Sequence, residues 1–144
     1  GWLIKKRYDL IEVDNNMNGE YRMMTCCVLG LRGSLVRDNP AVAKAITQAI
    51  VDAQQWTADN PEETAKIFAP FVPGNVPIDD IAAMLKEHTH NHHSTGEQLR
   101  GEVATYVNEL KLINVIRPDT DAQKFADHYV PNLLPAAHDT MKMS

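Results

Sequence analysis

Four of the chain's six histidines fall within "EHTHNHHSTGE", residues 87 to 97, at His88, His90, His92 and His93. Imidazole nitrogens suit zinc, copper and nickel. On a helix continued through the stretch, His88 and His92 stand four residues apart and share a face, a pair able to hold an incidental transition metal ion. His90 and His92 share a face only in extended chain. Two ligands fall short of the four that close a structural zinc site. A polar loop between two helices, with His88 packed at a helix end, accounts for the same residues. The only two cysteines, Cys26 and Cys27, are neighbours. Adjacent residues close a disulfide only through a strained small ring, so no disulfide framework is expected, and the pair is read as reduced, mostly buried thiols that pack as small hydrophobes. No Ser-His-Asp arrangement, phosphate-cradling glycine loop or HExxH motif is present. With nothing to fill the roles a reaction needs, the chain is not expected to be an enzyme.

These residues must be positioned by secondary structure, and the first third of the chain reads as strand. "YDLIEV" (8–13) is apolar-rich, "DNNMNGE" (14–20) is dense in turn formers, and "YRMMTCCVLGLRG" (21–33) is a long extended candidate broken by Gly30 and Gly33. Met23, Thr25, Cys27, Leu29 and Leu31 face one way, Met24, Cys26, Val28 and Arg32 the other. Both faces are largely apolar, the pattern of a strand covered on both sides as in an α/β protein.

After Arg32 the period changes. In "RDNPAVAKAITQAIVDAQQW", Asp38 or Asn39 is the N-cap and Pro40 takes the first helical position, where its missing N–H costs nothing. Val42, Ala45, Ile46, Ala49, Ile50, Ala53 and Trp56 then recur at three- and four-residue steps. Asn60, Pro61 and Glu63 repeat the start signal, Asp79 opens "DDIAAMLKEH", and Ser94 or Thr95 precedes a helix whose buried stripe is Leu99, Val103, Tyr106, Val107 and Leu110. "LINVIRPDTDAQ" is a break with a short strand at "INVI", and Thr120 or Asp121 starts a last helix through Phe125, Ala126 and Tyr129. Trp56, Phe68, Phe71 and Tyr106 lie on apolar stripes and are expected in the core.

At 144 residues, with a formal charge of −5, the chain suits one ordinary core and carries no basic stripe for phosphates, so nucleic acid is not an expected partner. No run approaches the roughly 18 to 20 apolar residues that span a bilayer. Two strands make a poor sheet. Together with an opening on Gly1 and Trp2 rather than an initiator Met, they lead us to expect a portion of something longer.

The segment "CCVLGLRGSLVRDNPAVAKAITQAIVDAQQWTADNPEETAKIF" resembles the solute-binding proteins of nitrate, sulfonate, taurine and bicarbonate ABC importers, together with the related thiamin-pyrimidine synthesis proteins. The "RDNP" helix start, the long helix ending in Trp56, the "NPEE" start and the downstream "LKLINVIRPDTDAQKFAD" carry the resemblance, which extends over about residues 21–134. It implies an α/β fold, the C-terminal part of a type II periplasmic-binding-protein fold that closes by hinge motion, mostly helical in this segment with one or two strands. Residues 1–33 correspond to the end of the second lobe and the return crossover strand, residues 34–144 to the helical C-terminal part of the first lobe. The implied function is non-catalytic periplasmic, or extracellular membrane-associated, capture of a small solute for an ABC permease, with no cofactor. Tyr21, Met24, Thr25, Cys26 and Cys27 fall where the family's strand passes the cleft and are the implied ligand contacts. An iron- or pyridoxal-dependent enzyme related to thiamin-pyrimidine synthesis, whose longer cysteine cluster is here reduced to two residues, and a histidine-based metal-binding module are the alternatives. Pairing of two copies, or exchange of an element between them, is one way to cover an exposed half-sheet.

Overall fold

The computed structural model describes residues 2–15, 18–88 and 94–134, with the backbone alone described for Glu20 and His88. The described residues form seven α-helices: α1 (Trp2–Tyr8), α2 (Gly33–Asp38), α3 (Pro40–Asp59), α4 (Pro61–Phe68), α5 (Ile78–His88), α6 (Gly96–Leu112) and α7 (Ala122–Tyr129). Short 3-10 helices occupy Gly19–Met23 and Ala69–Phe71. None of the described helices is long and apolar enough to cross a membrane. The chain divides into two compact units, one of Gly1–Met24 and Asp52–Asn91, the other of Thr25–Val51 and His92–Ser144.

In the first unit α4 packs on α5. Pro61 starts α4, and the turn before it is fixed from behind: the Asn60 side-chain amide donates to the Trp56 carbonyl at 2.9 Å instead of capping α4. Glu62 and Glu63 sit in the first turn of α4, where negative charge favours the helix dipole. The apolar face of α4 supplies Ala65, which is fully buried with Ile81 and Ala82 of α5, and Ala69, Val72, Val76 and Leu85 pack around them. Gly74 and Asn75, both at positive φ, turn the chain between Pro73 and Pro77 into α5. Lys86 of α5 pairs with Glu62 of α4 at 2.5 Å, and Lys6 of α1 with Asp80 of α5 at 2.5 Å. These exposed pairs orient the helices more than they stabilise them.

In the second unit α6 packs against α7. The stripe read from the sequence faces inward: Val107 is buried and Leu99, Val103, Tyr106 and Leu110 are half-buried, with Ala126, Val130 and Leu134 completing the core. The Asp121 carboxylate accepts from the Lys124 backbone N–H at 3.0 Å, capping α7 as its position in the sequence predicts. Arg100 of α6 donates to the Val130 carbonyl at 2.9 Å, and Lys111 to the Thr120 carbonyl at 2.8 Å, so basic side chains of α6 tie down both ends of α7.

Three expectations are corrected. First, no strand forms among the described residues. Tyr8 ends α1, residues 10–13 are irregular, Tyr21 to Met23 lie in a 3-10 helix, and Thr25 to Arg32 have no regular secondary structure. A strand is completed by a ladder to its neighbour, and here the Thr25 backbone bonds to side chains of α6 instead. At "INVI", Asn114 takes φ +59 and Val115 donates back to the Leu110 carbonyl, which makes a turn. Second, Cys26 and Cys27 are exposed, because no sheet covers them. Third, the apolar stripe of α3 faces solvent: Val42, Ile46, Ile50 and Trp56 are 39 to 49% exposed, and the helix buries only Ala43. Phe68 and Phe71 are likewise exposed, stacked on each other at 6.5 Å.

Candidate functional site

Within the second unit the segment after Met24 and the two packed helices line an open cavity of about 330 Å³. Thr25, Cys26 and Val28 form one wall. Val103, Tyr106, Val107 and Leu110 of α6 line it as well, with Ile116 and Phe125.

The wall is held by a buried carboxylate. Glu102 is 8% exposed; one of its oxygens accepts the Thr25 backbone N–H at 2.8 Å and the other the Ser94 hydroxyl at 2.6 Å. Hydrogen bonds to an ionised acceptor are the stronger kind, so this pair is well suited to offset the burial of a charge. One turn further along α6, the Tyr106 hydroxyl donates to the Thr25 carbonyl at 2.8 Å. Thr25 is therefore clamped through both its backbone groups. Burial pushes the Tyr106 hydroxyl above its ordinary value, and the charges of Cys26, Glu109 and Glu102 push it further the same way.

The lining is apolar apart from Thr25, Cys26 and Tyr106, and no Lys or Arg is among it. Such a cavity suits an apolar group. An inorganic anion finds no cation there, and the nearby Glu102 repels it.

The sequence-derived candidates separate. Thr25 and Cys26 line the cavity, and Cys27 follows them as an exposed neighbour whose sulfur lies 4.0 Å from that of Cys26. Tyr21 and Met24 belong to the first unit, where the Met24 backbone N–H donates to the Tyr21 carbonyl at 3.0 Å. Of the two histidines proposed for metal, His88 is the last residue of α5 and His92 lies outside the described residues. Among the described residues, no group of three or more His, Cys, Asp or Glu side chains is placed to hold a metal ion. Sequence reasoning missed Glu102. Its signal was present: a carboxylate three residues after Leu99 and four before Tyr106 stands on the apolar face of α6, where a charge needs partners.

The similarity to known proteins lies in the stretch that carries Tyr21, Thr25, both cysteines, α2, α3 and α4. Residues 20–71 match the NMT1-like family. The resemblance read from the "RDNP" and "NPEE" helix starts is thereby borne out over this part of the chain. A nitrate/nitrite binding protein, NrtA, of Synechocystis sp. (strain ATCC 27184 / PCC 6803 / Kazusa) is 41% identical over 54 residues, which cover 36% of this chain and 12% of that protein. No solved structure matches the chain. The NMT1-like segment includes the whole of α3, so the helix with the solvent-facing apolar stripe is part of what relates this chain to the family.

Proposed function

We propose that the chain serves, as part of a solute-binding protein, in the non-catalytic capture of a small solute for an ABC importer. The observation that carries this reading is the NMT1-like match over residues 20–71. The 41% identity to a nitrate/nitrite binding protein names the solute class to try first, small oxyanions, with sulfonates and bicarbonate next. In this reading the chain works outside the cytoplasmic membrane and hands its solute to a membrane permease. Residues 1–33 and 34–144 belong to different lobes of a type II periplasmic-binding-protein fold.

Tyr21, Met24, Thr25, Cys26 and Cys27 are the proposed solute contacts. The apolar cavity behind Thr25 and Cys26 serves as a wall, because it offers an anion no positive charge. An oxyanion needs hydrogen-bond donors instead, and among the proposed contacts Tyr21 and Thr25 carry hydroxyls.

Isothermal titration of the 144-residue chain with nitrate, nitrite, bicarbonate and a short alkyl sulfonate tests the reading. Saturable one-site heat with one of these is expected, weakened about tenfold by Tyr21→Phe, the worth of one hydrogen bond. Absence of binding to all four, both in the chain and in the solute-binding protein of which it is proposed to be part, overturns it.

A further inference from the structure

We infer that Cys26 and Cys27 form a redox-sensitive dithiol that hydroperoxides convert into a disulfide between neighbouring residues, and that closing this bond loosens the clamp of α6 on Thr25. Both side chains are exposed, so an oxidant in solvent reaches them. The Cys27 thiol is oriented as a donor to the Cys26 sulfur across 4.0 Å. That contact brings the two sulfurs within reach of each other, so that one, taken as Cys26, can attack the oxidant and the other resolve it.

The step balances with one hydroperoxide. The Cys26 thiolate attacks a peroxide oxygen, the O–O bond breaks, and the departing alkoxide or hydroxide takes up a proton, leaving a sulfenic acid. The Cys27 sulfur then attacks the Cys26 sulfur, the S–O bond breaks, and water leaves with the thiol proton. Two electrons pass from the two sulfurs to the peroxide.

The geometry of adjacent residues supplies the consequence. Their Cα atoms are about 3.8 Å apart, short of the roughly 4.4 to 6.8 Å that an ordinary disulfide spans. The sulfurs must close by about 2 Å to reach bonding distance. The peptide between the two cysteines has to turn for this to happen, and Thr25 is the next residue back. Its N–H is held by Glu102 and its carbonyl by Tyr106, each at 2.8 Å. Turning the peptide therefore works against both bonds and shifts the Cys26 wall of the cavity. A strained, exposed disulfide is readily reduced, so thiols restore the original arrangement.

The experiment treats the full 144-residue chain with hydrogen peroxide and reads intact mass, thiol alkylation and amide hydrogen exchange before and after dithiothreitol. Expected are a monomer lighter by two hydrogens, loss of both alkylation sites together, exchange at the Thr25 amide faster by about tenfold, and full reversal on reduction. Cys26→Ser and Cys27→Ser should each abolish the two-hydrogen loss while leaving Thr25 protected as in the reduced chain. Oxygen addition without two-hydrogen loss, or a disulfide-linked dimer as the product, overturns the dithiol. Unchanged Thr25 exchange in the oxidised monomer overturns the coupling to α6.

Discussion

The hydroxyl of Tyr106 on α6 donates to the backbone carbonyl of Thr25 at 2.8 Å, joining residues 81 apart in sequence. The neighbouring Thr25 N–H is taken by Glu102, one turn earlier on the same helix. Thr25, which has no partner strand, thus gets both its backbone partners from two side chains of a helix.

Tyr106→Phe removes one of these bonds and leaves the Thr25 carbonyl without that donor. A loss of about 1 kcal/mol is expected, read as a lower urea midpoint with an unchanged slope.

The same residue gives an alkaline signature. Burial, followed by the charges of Cys26, Glu109 and Glu102, raises the folded-state value of Tyr106 above its ordinary 10.0. A group raised in the folded state contributes stability that is fully present below its unfolded value and lost as pH rises through the folded one. Stability measured from pH 9 upward should therefore fall beyond about pH 10, and the fall should be shallower in Tyr106→Phe. An identical fall in both proteins would assign it to other groups.

Asp121 gives the acid counterpart. Its carboxylate is lowered first by the hydrogen bond from the Lys124 backbone N–H, with smaller contributions from the Lys124 charge, the Gln123 backbone N–H and the Lys111 charge. Lowering means that its contribution is present above the ordinary value of 3.8 and disappears as pH falls through the folded value. Asp121→Ala should fray the start of α7 at neutral pH. It should also flatten the part of the acid unfolding curve that lies below about pH 4, as followed by circular dichroism.

Glu102→Ala is expected to cost more than either of these helix-end or single-bond changes, about 2 kcal/mol, because it strips partners from both Thr25 N–H and the Ser94 hydroxyl in a half-buried place. Glu102→Gln keeps one acceptor and should recover about half of that loss. Equal losses in the two variants would mean that the charge, rather than the acceptor geometry, holds Thr25.

What the sequence made legible were features decided within a turn or two of chain. Pro40 and Pro61 start helices where proline is compatible with a first turn, and Asp121 caps α7 through a bond three residues away. The inward stripe of α6 was legible for the same reason, since its period is local. What failed depended on partners distant in sequence. Alternating apolar residues in 21–33 mark a strand only where another strand pairs with it, and the Thr25 backbone bonds across 77 and 81 residues to α6 instead. The stripe of α3 has a regular helical period, yet periodicity says which residues share a face and not what covers it. Of the site, Thr25 and Cys26 line the cavity, while the solute contacts implied by the resemblance are a matter for the titration. Glu102, which holds the cavity wall, was not foreseen, because its meaning lies in partners that sequence spacing does not reveal.

Two residues of α3 turn that last distinction into a measurement. Ala43 is fully buried, whereas Ile50, on the apolar stripe of the same helix, is 43% exposed. Ala43→Leu forces a larger side chain into a filled place and should cost about 1 to 3 kcal/mol through overpacking. Ile50→Gln trades a half-exposed apolar side chain for a polar one of good helix propensity and should change stability by no more than about 0.5 kcal/mol. Both are read from urea midpoints of the 144-residue chain, at two protein concentrations. A large loss for Ile50→Gln that grows with protein concentration would show that the stripe is covered by a second copy; a large concentration-independent loss would show that it packs within the chain. A small one at both concentrations is the expected result, since stability then follows burial on this helix and not hydrophobicity.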